Sequence, residues 1–205
     1  MIEQVTEAKP HLIVLTGDYM NVREGAVALN EVLGVLKAPF GVIGIEGNWD
    51  TKFLTGELFQ RAGATWLVDD TRLLERDGRK LRVVGQGMTP SRTLQELLPA
   101  KEDGAYTIFL HHMPDAIDEL RKRDPGQRVD LFLCGHTHGG QIRVPGLGPL
   151  LPAWRSPSAF APGETRREGM VVIVNRGMGM SGGPLPRARL LSRPEIRLIE
   201  ISVSK

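Results

Sequence analysis

The stretch VDLFLCGHTHGG (129–140) joins a short apolar run to two histidines, His136 and His138, that lie among glycines. A continuous apolar run of this length is typical of a strand that is covered on both faces. In open α/β sheets the functional crevice lies at the carboxyl ends of the strands. The stretch therefore predicts an α/β fold with functional side chains at one edge of its sheet.

The same pattern extends along the chain. The other predicted strands are 11–15, 40–45, 81–87, 106–110, 170–174 and 195–201. The predicted helices are 22–37, where apolar residues repeat at helical spacing, 114–123, which opens with proline and acidic residues and closes on basic ones, and the shorter 54–62 and 91–98. Alternating strands and helices predict the α/β class, and the length predicts one domain over 1–205. Residues 145–169, rich in proline and glycine, are predicted to form a long loop.

Composition excludes several classes of protein. The chain has 205 residues, a formal charge of +2 and 41% hydrophobic residues, which is ordinary for a soluble globular protein. The small charge argues against nucleic acid as a partner. No segment approaches the roughly 20 apolar residues of a membrane span, and Met1 does not begin a signal peptide, so a cytoplasmic location is expected. The single cysteine, Cys134, lies in an apolar run and is expected to be a buried, inert thiol.

Four predicted strands end in residues that can bind a metal ion. These residues are Asp18, Asn48, the pair His111 and His112, and the pair His136 and His138. Each has an ordinary alternative by itself, since Asp18 and Asn48 fit turns and His112 fits a core histidine. Together they predict a site for Mn²⁺, Fe, Zn²⁺ or Co²⁺, because these ions accept mixed carboxylate, amide and imidazole ligands. Two such ions about 3.5–4 Å apart would clamp a phosphoryl group.

The segments TGD (16–18), GNWD (47–50), HHMPD (111–115) and GHTHGGQI (135–142) resemble those of the calcineurin-like metallophosphoesterase superfamily. GHTHGGQIRVP and the later NRGMGMSGGPLP and RPEIRLIEI are most similar to a bacterial branch. That branch includes UDP-2,3-diacylglucosamine hydrolases of lipid A synthesis and related cell-envelope phosphoesterases. The resemblance implies a four-layer α/β/β/α sandwich and two divalent metal ions. It also implies hydrolysis of a phosphoric ester or pyrophosphate by a metal-activated water, with a phosphorylated small molecule or a lipid-nucleotide precursor as substrate.

The resemblance also implies a role for each matching residue. Asp18 would be the carboxylate that bridges two metals. Asn48, His112 and His136 would complete one metal, and His138 would bind the other. Asp18 and Asn48 are thereby candidates for the catalytic centre, whereas His111 falls one place before the family ligand and is expected to be structural.

The N-terminal part of the chain departs from the family pattern. The Asp-x-His motif that ends the family's first strand does not precede Gly17, so the domain is expected to be N-terminally truncated relative to the family and to lack that strand. One metal would then keep only Asp18 and His138 as ligands. The sequence therefore leaves open whether the chain binds one ion or two. Two interpretations follow: a fragment or late start codon with a working phosphoesterase site, or a catalytically impaired relative that binds metal or phosphate.

Trp49 stands where the family usually has a histidine that protonates the leaving group. Indole has no titratable proton near neutral pH, and general acid catalysis typically contributes about 10²- to 10⁴-fold. Trp49 therefore predicts slow turnover or a leaving group that needs no proton, such as a nucleotide. Asp50 is a candidate substitute acid, with a turn-capping or helix-capping carboxylate as the alternative.

Later loops carry candidates for substrate binding. Arg143 and Arg176 could each form paired hydrogen bonds with phosphate oxygens, with a solvated surface arginine as the alternative. Apolar side chains between 145 and 160 could grip an acyl chain, contact the surface of the inner membrane, or pack on their own sheet. They are Leu147, Leu150, Leu151, Trp154 and Phe160.

Overall fold

A computed structural model of the chain describes residues 2–98, 104–123, 128–149, 162–167, 169–180 and 187–202. The α-helices in this described part are α1 (Ile2–Ala8), α2 (Gly25–Val35), α3 (Thr55–Arg61), α4 (Leu94–Leu97) and α5 (Ala116–Arg123). The strands are β1 (Ile13–Leu15), β2 (Val42–Gly44), β3 (Thr65–Trp66), β4 (Asp70–Arg76), β5 (Arg79–Gly85), β6 (Tyr106–Leu110), β7 (Leu131–Cys134), β8 (Arg143–Val144), β9 (Gly148–Pro149), β10 (Gly163–Arg167) and β11 (Met170–Val174).

Most of the strands lie in two sheets. The smaller sheet has the order β1-β2-β3 and is parallel throughout. The larger has the order β10-β11-β7-β6-β5-β4, in which the four inner strands are parallel and the two edge strands are antiparallel. β8 and β9 pair separately. Within each sheet the parallel strands end at the same edge, so the segments that follow them meet there.

Three clusters of buried apolar side chains separate four layers. One cluster lies between the two sheets and includes Ile108 and Leu110 of β6, while Phe109 of the same strand faces α4 and α5. A third cluster, with Leu33 and Phe59, packs α1, α2 and α3 on the outer face of the smaller sheet. The order of layers is α/β/β/α, so the four-layer sandwich implied by the resemblance is confirmed.

The predicted elements are largely present with shorter bounds, but one predicted strand is wrong. Residues 195–202 form no strand within the described chain, and Ile196 and Leu198 are exposed. Their apolar pattern resembles that of a buried strand, but no described strand pairs with them. β4 was not predicted because it is a largely exposed edge strand, joined to β5 through Asp77 and Gly78, and it lacks an apolar run.

The prediction of an irregular loop over 145–169 is wrong in part. β9 pairs with β8, and β10 pairs with β11 as an exposed, polar edge strand. Leu147 is exposed, whereas Leu150, Leu151, Trp154 and Phe160 lie outside the described residues. Among the helices of the described ranges, each is too short or too polar to cross a bilayer.

Candidate active site

The ends of β1, β2, β6 and β7 bring four predicted residues together around Nε2 of His112. This nitrogen lies 3.1 Å from Oδ2 of Asp18, 3.1 Å from Oδ1 of Asn48 and 3.0 Å from Nδ1 of His136. The donor atoms of Asp18, His112 and His136 all lie within 4.8 Å of one another. The two sheets pack face to face, so residues from both reach the same point.

The hydrogen bond on the far side of the His112 ring determines what these atoms can do. Nδ1 of His112 lies 2.7 Å from the carbonyl oxygen of Thr16, and only a protonated Nδ1 can donate to that oxygen. In the neutral ring Nε2 then carries a lone pair. It faces the oxygens of Asp18 and Asn48, which also carry lone pairs, so the group requires a proton or a cation at its centre. One carboxylate, one amide oxygen and two imidazoles therefore fit a divalent metal ion.

The charge states at this point also suit a cation. Burial, followed by the charge of His112, lowers the pKa of His136 to about 4, so its ring is neutral at pH 7. Nε2 of His136 is buried without a hydrogen-bond partner among the described residues. Burial raises the pKa of Asp18, but its hydrogen bond with His112 and the charge of that ring outweigh this effect and hold the pKa below its usual value. At neutral pH the site thus offers an ionised carboxylate beside neutral imidazole.

Two glycines let the backbone approach these side chains closely. A Cβ atom at Gly17, where φ is +92°, would lie 2.7 Å from Nδ1 of His112. A Cβ atom at Gly47 would lie 2.4 Å from Oδ1 of Asp18. The glycines of TGD and GNWD are therefore required by the packing of the site itself.

The carboxylate of Asp50 holds together the loops that carry Asp18 and Asn48. It is 2% exposed and accepts the backbone N–H groups of Asp18 at 2.7 Å, Gly47 at 2.9 Å and Tyr19 at 3.2 Å. Burial raises its pKa to about 6, although the three N–H groups oppose the rise. Because both oxygens are engaged with the backbone, these contacts favour the turn-capping alternative for Asp50 over a substitute acid.

Comparison with known proteins agrees with this geometry. Residues 1–140 match the calcineurin-like phosphoesterase family. The chain belongs to this family. It is 33% identical to an uncharacterized metallophosphoesterase, YkuE, of Bacillus subtilis over 98% of this chain and 71% of the relative. It is 31% identical to the phosphodiesterase YaeI of Escherichia coli over 95% of this chain and 72% of the relative.

A solved structure shows the shared fold. The 5′-nucleotidase precursor of Thermus thermophilus superposes with a TM-score of 0.51 and 14% identity, covering 86% of this chain and 41% of that one. The chain is therefore a metallophosphoesterase, a hydrolase whose family acts on phosphoric esters with divalent metal ions. The resemblance to this superfamily is confirmed, while its narrower assignment to the UDP-2,3-diacylglucosamine hydrolase branch has no support among these relatives.

In this phosphoesterase Trp49 contributes its backbone to the site. Its N–H donates to Oδ1 of Asp18 at 2.9 Å, which leaves Oδ2 facing His112. The ammonium group of Lys52 lies 4.2 Å from the centre of the indole ring. The position that carries a histidine in the family pattern is thus occupied by an aromatic ring with a cation over its face.

The remaining predicted residues of the phosphoesterase meet in the turn after His136. Nη1 of Arg143 donates to the carbonyl oxygen of Gly139 at 3.1 Å. The stem of Arg176 packs on the same glycine, and its guanidinium pairs with Glu195 at 3.3 Å. His138 is half-buried in this turn and lies outside the group formed by Asp18, His112 and His136.

Sequence reasoning missed several residues that support the phosphoesterase site. The hydroxyl of Tyr19 accepts the N–H of Gly17 at 3.1 Å and lies 2.8 Å from the carbonyl oxygen of Leu15 and 2.9 Å from that of Ile45, joining the ends of β1 and β2. Its position directly after TGD is the only sequence signal it gives. Arg189 and Ser192 contact the backbone of His138 and belong to no recognisable motif.

Proposed function

We propose that Asp18, Asn48, His112 and His136 bind a divalent ion at which the chain hydrolyses phosphodiesters. One observation carries the proposal: a carboxylate oxygen, an amide oxygen and a second imidazole nitrogen lie within 3.1 Å of Nε2 of His112, whose Nδ1 is committed to the Thr16 carbonyl. When bound, such an ion supplies Lewis acidity toward phosphoryl oxygens and acidifies water near neutral pH.

The chain's own residues orient these ligands. The Thr16 carbonyl fixes the ring of His112 with Nε2 directed inward. The N–H of Trp49 engages one oxygen of Asp18, so the other is directed at His112. Asp50 holds the backbone of Asp18 against that of Gly47. His112 and Asp18 are therefore held by neighbouring groups before any substrate arrives, which favours a preformed site.

The turn after His136 would bind the phosphate. The guanidinium of Arg143 donates to the Gly139 carbonyl and that of Arg176 pairs with Glu195, and each has further N–H groups with which to bind phosphate oxygens. His138 would support a second ion together with Asp18. Both assignments are supported by the position of the turn directly after a metal ligand.

A phosphodiester is the favoured substrate class because YaeI, at 31% identity, is a phosphodiesterase by name. A lipid-nucleotide precursor as substrate rests on the resemblance alone. Manganese is one of the four ions that the ligand types suit, and contact with the inner membrane rests on the resemblance and on the apolar side chains between 145 and 160. The test includes Mn²⁺ among its metals and a UDP-linked lipid among its substrates.

The test uses the full chain, stripped with chelator and reloaded with Mn²⁺, Zn²⁺, Fe²⁺ or Co²⁺ in turn. Hydrolysis of bis-p-nitrophenyl phosphate, p-nitrophenyl phosphate and a UDP-linked lipid is compared for each metal. We expect His112→Ala to lose bound metal and diester hydrolysis. His11→Ala is the matched control, since His11 is exposed just before β1, at the opposite end of that strand from Asp18. Equal metal content and turnover in both variants would refute the proposal.

A second candidate is a metal-binding relative with little catalysis. It is favoured by Trp49 and Asp50 together, because the indole cannot protonate a leaving group and both oxygens of Asp50 are engaged by backbone N–H groups. Stoichiometric metal binding without turnover on any phosphoester of the panel would support this candidate.

A further inference from the structure

The turn that carries His138 has a backbone conformation that side-chain-bearing residues rarely adopt. φ is +62° at His136, +49° at His138 and +43° at Gln141, with Gly139 at +65° between them. Residues in this left-handed region persist only where their surroundings hold them. Something outside the turn must therefore maintain it.

Residues 189–192, here called the clamp, hold the turn from outside. The N–H of Leu190 donates to the carbonyl oxygen of Gln141 at 2.9 Å, and Leu190 accepts the N–H of Arg143 at 2.9 Å. Oγ of Ser192 donates to the carbonyl oxygen of His138 at 2.7 Å, and Nη1 of Arg189 donates to the same oxygen at 3.2 Å. Two side chains of the clamp thus converge on the backbone of one histidine.

The hydrogen bonds of Arg189 also affect which atom the His138 ring can bond. Nε of Arg189 donates to the carbonyl oxygen of Gly179 at 2.8 Å, and its Nη2 bonds the carbonyl oxygens of Gly179 at 2.6 Å and Arg176 at 2.8 Å. Nδ1 of His138 lies 3.2 Å from that same Gly179 oxygen. Nη2 of Arg189 is also 3.2 Å from Nδ1, but the closer carbonyl oxygens take its two hydrogens. Nδ1 can then donate to Gly179, which leaves the lone pair on Nε2.

We propose that Arg189 and Ser192 are positioning residues that hold His138 in the backbone conformation and ring tautomer of a metal ligand. Ser192 is 2% exposed, so its hydroxyl has no ready alternative to the His138 carbonyl. The inference rests on the proposed function, since the tautomer of His138 matters only where an ion binds. A segment without motif residues would thus position His138, the candidate ligand of the second ion.

The first experiment measures Mn²⁺ binding to chelator-treated full chain by calorimetry. We expect Arg189→Gln to weaken the His138-dependent binding step by about 10- to 100-fold, the range found when partners of metal ligands are removed. Ser192→Ala changes fewer atoms and should weaken it in the same direction. Arg189→Lys should not restore binding, because an ammonium cannot reach several carbonyls in the planar fork of a guanidinium. Arg193→Gln is the matched control, an exposed arginine next to the clamp.

The second experiment separates positioning from general stability. If Arg189 acts through His138, the double variant His138→Ala with Arg189→Gln binds Mn²⁺ no more weakly than His138→Ala alone. Multiplying losses in the double variant would overturn the inference, as would unchanged binding in His138→Ala. Should Arg189→Gln fail to fold, the same cycle with Ser192→Ala tests it.

A third readout needs no metal. The ¹⁵N shifts of the His138 ring in the metal-free protein should show a protonated Nδ1, and Arg189→Gln should shift the ring toward a mixture of tautomers. An unchanged tautomer would contradict the role of Arg189. Failure of these tests leaves metal binding at Asp18, His112 and His136 intact, whereas failure of the proposed function is seen in His112→Ala.

Discussion

The carboxylate of Asp50 accepts the backbone N–H of Asp18 at 2.7 Å, across 32 positions of the chain. Through this bond and those to Tyr19 and Gly47, one buried side chain links the loop after β1 to the loop after β2. The orientation of Asp18 toward His112 therefore depends on a residue whose own hydrogen bonds in the described part of the chain go to Asp18, Tyr19, Gly47 and Thr55, and to neither imidazole.

Replacing Asp50 tests this dependence. Asp50→Asn presents an amide NH₂ to backbone N–H groups, so at least one buried donor loses its acceptor. We expect the free energy of unfolding to fall by about 1–3 kcal/mol and metal binding to weaken with it. Urea unfolding and metal titration measure the two effects. Asp77→Asn is the control, since Asp77 is exposed in the β4–β5 turn and asparagine tolerates its φ of +52°. Equal stability of the two variants would contradict this role.

Two glycine substitutions make a matched pair. Gly47→Ala would place a Cβ atom 2.4 Å from Oδ1 of Asp18, so either the loop or the ligand must move. We expect at least a tenfold loss of diester hydrolysis and weaker metal binding. Gly34→Ala meets nothing within 4 Å in helix α2 and should raise the free energy of unfolding by roughly 0.5–1 kcal/mol without changing activity. Full activity in Gly47→Ala would show that the close approach is dispensable.

The candidate ligands could be named from the sequence because each one lies within a few residues of the end of an apolar run. Asp18 and His112 stand beside the strands that position them, so local sequence and one rule about parallel sheets place them together. The edge strands β4 and β10 were not predicted, since an exposed strand needs no apolar run. The apolar pattern of 195–201 predicted a strand that does not form. The pattern suits a strand, but a strand also needs a neighbour to pair with, and the local sequence does not specify one.

Residues that support the site by bonding backbone atoms could not be predicted from sequence patterns. Arg189 and Ser192 bond carbonyl oxygens, and every residue has a carbonyl, so no partner residue type marks the contact. Arg143 and Arg176 were candidates because they lie in loops downstream of strands that carry candidate ligands or of strands beside them. Arg189 was not predicted to contact His138, because the two residues are separated by 51 positions of the chain.

Metal should stabilise the fold through His136. An ion that binds only the folded chain raises its stability by about 2.7 kcal/mol at a hundredfold excess over Kd. We therefore expect Mn²⁺ or Zn²⁺ to raise the Tm of the chelator-treated wild-type chain and of His11→Ala. His136→Ala removes the ring whose Nδ1 lies 3.0 Å from Nε2 of His112, and it should lose most of the rise. The same metal-dependent shift in His136→Ala would place the ion elsewhere. Thermal unfolding followed by circular dichroism provides the measurement.

We expect Trp49 to limit which leaving groups the site tolerates. Its N–H bond to Asp18 comes from the backbone, so Trp49→His retains that bond while it adds a titratable ring. We expect hydrolysis of an alkyl phosphodiester, whose leaving oxygen needs a proton, to accelerate by about 10²-fold or more. Hydrolysis of bis-p-nitrophenyl phosphate should change far less, because p-nitrophenolate leaves without a proton. Trp49→Phe keeps an apolar ring without a titratable group and should accelerate neither substrate. Equal acceleration of both substrates by Trp49→His would mean that the indole limits access to the site, and the acid argument would then be wrong.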